Sequence, residues 1–188
     1  MTEQQSYEVL ERHGPVELRR YAPCVVADVR VTGSIEAAGN AAFRPLVSYI
    51  SGANRAAPSM TTLPDQTGER LAMTAPVLQA ASDAGTEGEW VVSFVLPGSR
   101  GVADYPEPTD PRVRLRAVPG HDAAAVRWSG RWSGSNVAER TEELQSQMRQ
   151  RAWAASGPPV WARYDPPWKP AFLRRNEIVI PVEPAAGT

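Results

Sequence analysis

Residues 25–51 read VVADVRVTGSIEAAGNAAFRPLVSYIS, and this stretch decides the fold. At its start apolar residues alternate with polar ones, which predicts a strand with Asp28 and Arg30 on the face opposite the valines. Ser34 is a good N-cap, and the residues that follow it predict a helix over 35–51. The stretch therefore predicts a strand that leads directly into a helix.

The predicted helix carries two apolar stripes. The first stripe consists of Ile35, Ala38, Ala42, Leu46 and Tyr49. The second consists of Phe43, Val47 and Ile50. A helix with two apolar faces needs a packing partner on both faces. Packing on one sheet covers only one of them, so the second stripe is left without a predicted partner.

Further strands are predicted on both sides of this stretch. Residues 7–20 predict a hairpin that turns at His13-Gly14-Pro15. Residues 70–79 predict a strand with Pro76 at a bulge or an edge. Residues 90–96 are apolar on both faces, which predicts a central strand. Many turns and short alternating runs indicate a β-rich domain.

The second part of the chain repeats this plan. A hairpin over 113–118 and 123–129 precedes a helix over 137–153, which Asn136 is predicted to cap. Two strands follow over 160–164 and 178–182. The order strand–strand–helix–strand–strand thus occurs twice, and the sequence predicts one domain over 1–188 with similar halves at about 7–97 and 112–183.

Composition excludes several classes of protein. The 188 residues have a net charge of -1, which gives no general attraction for nucleic acid. One cysteine and two histidines are too few for a disulfide framework or a histidine metal cluster. No apolar run is long enough for a membrane span. The polar N-terminus does not resemble a signal peptide, so we expect a cytoplasmic protein.

Few residues indicate catalysis, and no metal site or catalytic residue is predicted. The sequence contains no nucleophile elbow and no phosphate loop. His13 and His121 both lie in turn contexts, and Cys24 opens an apolar strand as a buried, inert thiol. Glu177 follows two arginines, which indicates either a structural ion pair or a ligand site. Trp168 beside Lys169 indicates either a frame for a flat anionic ligand or a rigid loop.

Several motifs occur in an order that resembles one known family. They are YEVLE (7–11), ELRRY (17–21), YISGAN (49–54), MTAPV (73–77), VSFVLP (92–97), YDPPWKP (164–170) and RRNE (174–177). With these motifs the sequence resembles the SOUL/haem-binding protein family from Tyr7 to Val182. The resemblance implies an α+β fold, a distorted antiparallel barrel of about eight strands with two helices. It also implies two similar ββαββ halves and a likeness to gyrase-inhibitor-like domains.

The resemblance also implies a function, namely non-enzymatic, non-covalent binding of haem or a related tetrapyrrole. In the family, haem is thought to lie against the outer face of the first helix. Carried over by position, the binding face consists of Phe43, Val47 and Ile50, with Lys169 as the matching loop lysine. The full set of candidate binding residues is Asn40, Phe43, Arg44, Val47, Ile50, Met73, Trp168 and Lys169, in which the residues themselves add Met73 as a candidate iron ligand and Trp168 as a frame for the ring. Two basic family positions are replaced by Asn40 and Ser48, and Arg44 is the candidate substitute. Axial ligation is expected to be weak or absent, since neither histidine lies in apolar sequence.

Two alternatives stay open at this point. The first is a binder of another hydrophobic small molecule, in an internal pocket lined by tryptophans and containing Glu177. The second is a hydrolase that uses the same pocket, with Glu177 as base and Tyr164 as acid. The sequence does not decide the oligomeric state.

Overall fold

The computed structural model describes residues 3–55, 68–82, 86–166 and 168–183. The two helices are α1 (Ile35–Ile50) and α2 (Gly134–Gln150). The strands, in chain order, are β1 (Glu3–Gln4), β2 (Tyr7–His13), β3 (Val16–Tyr21), β4 (Cys24–Thr32), β5 (Asn54–Arg55), β6 (Thr74–Ala75), β7 (Val77–Ala81), β8 (Glu89–Val95), β9 (Glu107–Pro108), β10 (Val113–Val118), β11 (His121–Ser129), β12 (Val160–Arg163) and β13 (Arg175–Pro181).

Nine of these strands form one antiparallel sheet that curls into a half-barrel. Their order is β10-β4-β8-β7-β12-β13-β11-β3-β2. Strands β10 and β2 are the two edges, so the sheet is an open half-barrel of nine strands rather than the barrel of about eight that was expected. The strand β8 lies between β4 and β7, which confirms the prediction of a central strand.

Both helices pack on the same face of the sheet. The first apolar stripe of α1 covers β4 and β8, where Leu46 and Ala42 are fully buried. The helix α2 covers β11 and β13 through Leu144 and Met148. Because side chains alternate along each strand, Asp28 and the other residues of opposite parity face the concave side. The predicted alternation in β4 is confirmed.

The predicted hairpin over 113–118 and 123–129 is wrong. Strand β10 pairs with β4, whereas β11 pairs with β3 and β13, so Pro119 and Gly120 cross between distant parts of the sheet. Alternation in a sequence indicates which face of a strand is buried, but it does not identify the partner strand. The single strand predicted over 70–79 is also wrong in its extent. The structure has two shorter strands there, β6 and β7, on either side of Pro76.

The start of α2 differs from the prediction as well. Ser133, rather than Asn136, is the N-cap, and its hydroxyl accepts a hydrogen bond from the backbone N–H of Asn136 at 3.4 Å. Serine at this position satisfies one of the free N–H groups of the first helical turn. The Asn136 side chain instead donates to the Arg131 carbonyl.

The identity of the N-cap residue gives a prediction about the stability of the protein. We expect Ser133→Ala to lower the free energy of unfolding by about 1 kcal/mol, the usual cost of removing an N-cap. Asn136→Ala removes an exposed hydrogen bond and is expected to cost less. Urea unfolding of the two variants beside wild type measures both values, and the opposite ranking would identify Asn136 as the cap.

Candidate functional site

The concave face of the sheet encloses an open cavity of about 780 Å³. Its floor is aliphatic and comes from five neighbouring strands. The aliphatic residues of this floor include Val26, Leu78, Ala80, Val91, Val160, Ala162 and Val179. A cavity of this size with a mainly apolar lining is typical of a small-molecule site. No tryptophan lies among the described residues that line this cavity, so it does not match the tryptophan-lined pocket expected from the sequence.

One edge of the cavity carries positive charge. Strands β4 and β10 supply Arg30, Arg114 and Arg116 to its lining, and Arg112 lies just before β10. Asp28 on β4 is the acidic residue among them. Asp28 accepts a hydrogen bond from Arg116 Nε at 2.8 Å. Arg112 is bound to Asp110 outside the cavity. Within the described residues Arg114 makes no side-chain hydrogen bond or ion pair, so its guanidinium is available to an anionic ligand.

A second group of polar residues lies where β3, β4 and β11 meet. Cys24, Tyr21 and His121 all line the cavity there. The rings of Tyr21 and His121 are stacked, with centroids 5.4 Å apart and planes 16° apart. His121 Nδ1 lies 3.0 Å from the carbonyl oxygen of Pro119. Burial raises the pKa of the Cys24 thiol, which agrees with an inert thiol.

A buried ion cluster adjoins the lining residues Tyr21 and Tyr164. Glu177 is 0% exposed and is not itself a lining residue. Its carboxylate binds Arg19 at 2.7 Å and Arg175 at 2.6 Å. Tyr164 is a third partner, since its hydroxyl donates a hydrogen bond to the carboxylate at 3.0 Å. Glu177 therefore forms a structural ion pair, although Arg19 takes the place of the neighbouring Arg174 as its second partner.

The electrostatics of this cluster argue against acid–base catalysis. Burial alone would raise the pKa of Glu177, but the hydrogen bonds and charges of Arg19 and Arg175 outweigh burial and leave that pKa below its usual value. A carboxylate held in its charged form by two guanidinium groups is a poor general base. Burial and the Glu177 charge raise the pKa of Tyr164, so its phenol remains protonated.

The sequence-predicted residues of α1 lie on the other side of the sheet from the cavity. Asn40 and Arg44 are exposed. Phe43 is 45% exposed, and its ring meets that of the buried Phe94 edge to face at 5.9 Å. These three residues share one outer face of the helix.

The other members of the second stripe are less accessible. Val47 is half-buried against the core of the sheet, and Ile50 is only 6% exposed. The second stripe therefore packs largely at the flank of the helix–sheet contact. Phe43 is its accessible member. The outer face of α1 therefore offers a ligand one aromatic ring and not the apolar slot that a flat ring needs.

The remaining predicted residues lie on loops. Trp168 is 83% exposed and Met73 is 48% exposed. Lys169 forms an ion pair with Asp165 at 2.7 Å. None of the described hydrogen bonds, ion pairs or ring contacts joins these loop residues to Phe43 on α1. The predicted set is thus divided between separate parts of the surface.

Sequence reasoning missed the cavity residues. One signal was present, because Asp28 and Arg30 were placed on the face opposite the valines of β4. The arginines of β10 carry the same alternation, with Arg114 and Arg116 facing the cavity. Their convergence with β4 depends on a strand pairing that the sequence did not reveal.

The curled antiparallel sheet with two helices on its convex face defines an α+β half-barrel protein. A family model described as "SOUL heme-binding protein" matches residues 2–181. The chain therefore belongs to the SOUL heme-binding protein family. A comparison with curated proteins finds no match.

Solved structures show the same fold at low sequence identity. The crystal structure of the EcmrR C-terminal domain has a TM-score of 0.65 at 15% identity, with coverage of 94% of this chain and 98% of that chain. An EcmrR–DNA complex matches with a TM-score of 0.64 at 15% identity, with coverage of 89% of this chain and 57% of that chain. A hydrolase from Listeria innocua has a TM-score of 0.59 at 13% identity, with coverage of 93% of this chain and 94% of that chain.

Two further observations concern the described residues only. No group of three or more His, Cys, Asp or Glu side chains is arranged there to hold a metal ion. Neither helix in these ranges is long and apolar enough to cross a bilayer.

Proposed function

We propose that this protein binds haem or a related tetrapyrrole non-covalently, without catalysing a reaction, in the concave cavity of its sheet. The observation that carries the proposal is the apolar cavity of about 780 Å³ with an arginine edge. A tetrapyrrole is a broad, flat, apolar ring with acidic side chains at one edge, and this lining matches both parts. Membership of the SOUL family supports the class of ligand.

The cavity is favoured over the outer face of α1 because of burial. A ligand in the cavity is covered by side chains from strands that are far apart in the curled sheet, such as Val26 on β4 and Val179 on β13. On α1 a ligand would meet the half-exposed Phe43 and little other apolar surface. Since the hydrophobic contribution scales with the apolar area that is buried, the cavity offers the larger part of the binding free energy.

A haemin titration, followed by the Soret band, tests both the function and the site. We expect saturable binding at one equivalent by wild type. Ala80→Trp places an indole in the cavity and is expected to abolish this binding, because the ring occupies the space of the ligand. Phe43→Asp on α1 is expected to leave binding nearly unchanged. Circular dichroism and thermal unfolding of both variants verify that they are folded.

The other outcomes contradict the proposal in distinct ways. Loss of binding in Phe43→Asp with retention in Ala80→Trp would move the site to α1. Absence of saturable binding by wild type, for haemin and for metal-free protoporphyrin IX, would contradict tetrapyrrole binding itself. The cavity would then favour another hydrophobic small molecule, which is the second candidate function.

The arginine edge gives a prediction about ligand charge. Arg114→Gln removes an exposed guanidinium that has no partner among the described residues, so we expect little change in stability. Its loss is expected to weaken protoporphyrin IX binding about fivefold, the usual scale of one partly exposed charge-assisted hydrogen bond. Arg149→Gln, an exposed arginine on α2 at the opposite face, is the matched control. Equal binding by both variants would exclude Arg114 from the site.

We also infer that the chain consists of two similar ββαββ halves of gyrase-inhibitor-like type. The order of the large sheet supports this. Counted outward from the β7–β12 pair, the strands on one side are β7, β8 and β4, and those on the other side are β12, β13 and β11. Corresponding strands of the two halves therefore occupy corresponding positions in the sheet. Strand β4 precedes α1 as β11 precedes α2. We further propose a cytoplasmic location and no nucleic-acid partner. The single cysteine, too few for a disulfide framework, supports the first proposal, and the net charge of -1 supports the second.

A further inference from the structure

His121 is held in one tautomer at the wall of the cavity. Its Nδ1 lies 3.0 Å from the carbonyl oxygen of Pro119. Because a carbonyl oxygen only accepts hydrogen bonds, Nδ1 must carry the proton and donate it. Nε2 of the neutral ring then has a free lone pair, and within the described residues it makes no hydrogen bond. A backbone carbonyl bound to Nδ1 is a usual way in which proteins orient a metal-binding histidine.

We propose that His121 Nε2 is the axial ligand to the iron of a haem bound in the concave cavity. The inference rests on the proposed function and replaces the expectation of weak or absent ligation. The ring lines the cavity, and its stacking on Tyr21 fixes the plane of the imidazole. A fixed ring loses little conformational freedom when it binds a metal.

The other potential ligands that line the cavity are less suited. Burial raises the pKa of the Cys24 thiol, which disfavours the thiolate that binds iron. Burial likewise raises the pKa of Tyr21 to about 12, despite the opposing charge of Arg19. Burial and the Glu177 charge also raise the pKa of Tyr164, the other tyrosine in the lining, so both phenolates are disfavoured. Asp28 is engaged by Arg116. His121 is therefore the donor that needs neither deprotonation nor the loss of an ion pair.

The remaining candidates are remote from the cavity. His13 binds Glu11 at 2.9 Å and packs against Trp153 on a different part of the molecule. Met73 is not among the lining residues, although the sequence allowed it as a ligand. By contrast, Arg114 and His121 line one cavity on either side of the β10–β11 connection. This places a metal ligand and an acid-binding group along one wall.

The test compares His121→Phe with His13→Phe. Phenylalanine keeps an aromatic ring against Tyr21 but cannot bind iron. Haemin and metal-free protoporphyrin IX are titrated into wild type and both variants. We expect wild type to give the spectrum of a nitrogen-ligated haem, and His121→Phe to lose it and to bind haemin at least about tenfold more weakly. Added imidazole is expected to restore the ligated spectrum. Binding of metal-free protoporphyrin IX is expected to remain within about twofold of wild type.

The metal-free porphyrin separates failure of this inference from failure of the proposed function. An unchanged haemin spectrum and affinity in His121→Phe would overturn the role of His121 while tetrapyrrole binding stands. Loss of the ligated spectrum in His13→Phe would assign the ligand to the other histidine. If wild type bound neither porphyrin, the proposed function itself would be wrong, and the inference with it.

Discussion

Replacing Glu177 with glutamine is expected to lower the free energy of unfolding by about 3–5 kcal/mol, which is the usual cost of removing one partner from a buried ion pair. The carboxylate is fully buried and binds Arg19 and Arg175 at 2.7 and 2.6 Å. Glutamine has nearly the same shape but no charge. Arg19, with 3% of its side chain exposed, would keep its own charge with less compensation.

The dependence on pH separates lost charge from lost packing. Because the folded-state pKa of Glu177 is lowered, its contribution is fully present above the unfolded-state pKa of about 4.3 and is lost as the pH falls through the lower folded-state value. Wild type should therefore lose more stability than Glu177→Gln between about pH 7 and about pH 3. The stability curves of the two proteins should converge in acid.

Urea unfolding at several pH values measures this prediction. Glu143→Gln is the control, since Glu143 forms an exposed pair with Arg140 on α2 and is expected to contribute less than about 1 kcal/mol. A constant difference between wild type and Glu177→Gln at every pH would show that the effect is packing. A difference below about 1 kcal/mol at neutral pH would show that the cluster does not stabilise the fold.

Local sequence patterns predicted most elements of this fold because those patterns depend on neighbouring residues. The β4–α1 stretch is an example, since Ser34 caps the helix as expected and β4 presents its valines to α1. The resemblance of the motifs predicted the family. By contrast, the partners of β10 and β11 depend on packing between residues far apart in the chain, and no local pattern specifies them.

The difference between local patterns and long-range contacts also explains which residues of the candidate site the sequence predicted and which it did not. The two turn residues Pro119 and Gly120 made His121 look like a solvated turn histidine. In the structure the connection between β10 and β11 brings that imidazole to the cavity wall beside Tyr21. Similarly, Glu177 was expected to pair with its sequence neighbours Arg174 and Arg175. Arg175 is one partner, but the second partner is Arg19, from near the other end of the chain. The Pro, Gly and Thr residues over 53–69 also predict a long loop that borders a functional site, but most of that stretch lies outside the described residues.

Asn54 is the second position where a large loss of stability is expected. Its side chain is 6% exposed and binds three backbone groups. Nδ2 donates to the carbonyl oxygens of Tyr49 and Glu69 at 2.8 Å each, and Oδ1 accepts from the Glu69 N–H at 2.9 Å. The amide thus gives the Tyr49 carbonyl at the end of α1 a second hydrogen bond, beside the one from the Gly52 N–H at 3.2 Å, and ties the helix to the residues before β6.

Removal of this amide should cost far more than one ordinary hydrogen bond. We expect Asn54→Ala to lower the free energy of unfolding by about 2–4 kcal/mol, because buried donors and acceptors are left without partners. Thermal and urea unfolding beside Asn40→Ala, an exposed asparagine on α1, measure the effect. Equal stability of the two variants would show that water replaces the lost contacts at no cost.

Asn54→Asp distinguishes the donor from the acceptor role of this side chain. Aspartate keeps an oxygen for the Glu69 N–H, but as a carboxylate it has no N–H to donate to the Tyr49 and Glu69 carbonyls and repels both of them. We therefore expect Asn54→Asp to be at least as unstable as Asn54→Ala near neutral pH. Its pKa would be raised in the folded state, so stability should recover as the pH falls and the protonated carboxyl group donates a hydrogen bond. Wild-type stability of Asn54→Asp at neutral pH would mean that the acceptor alone holds this junction, whereas recovery in acid would establish that the two donated hydrogen bonds fix the end of α1.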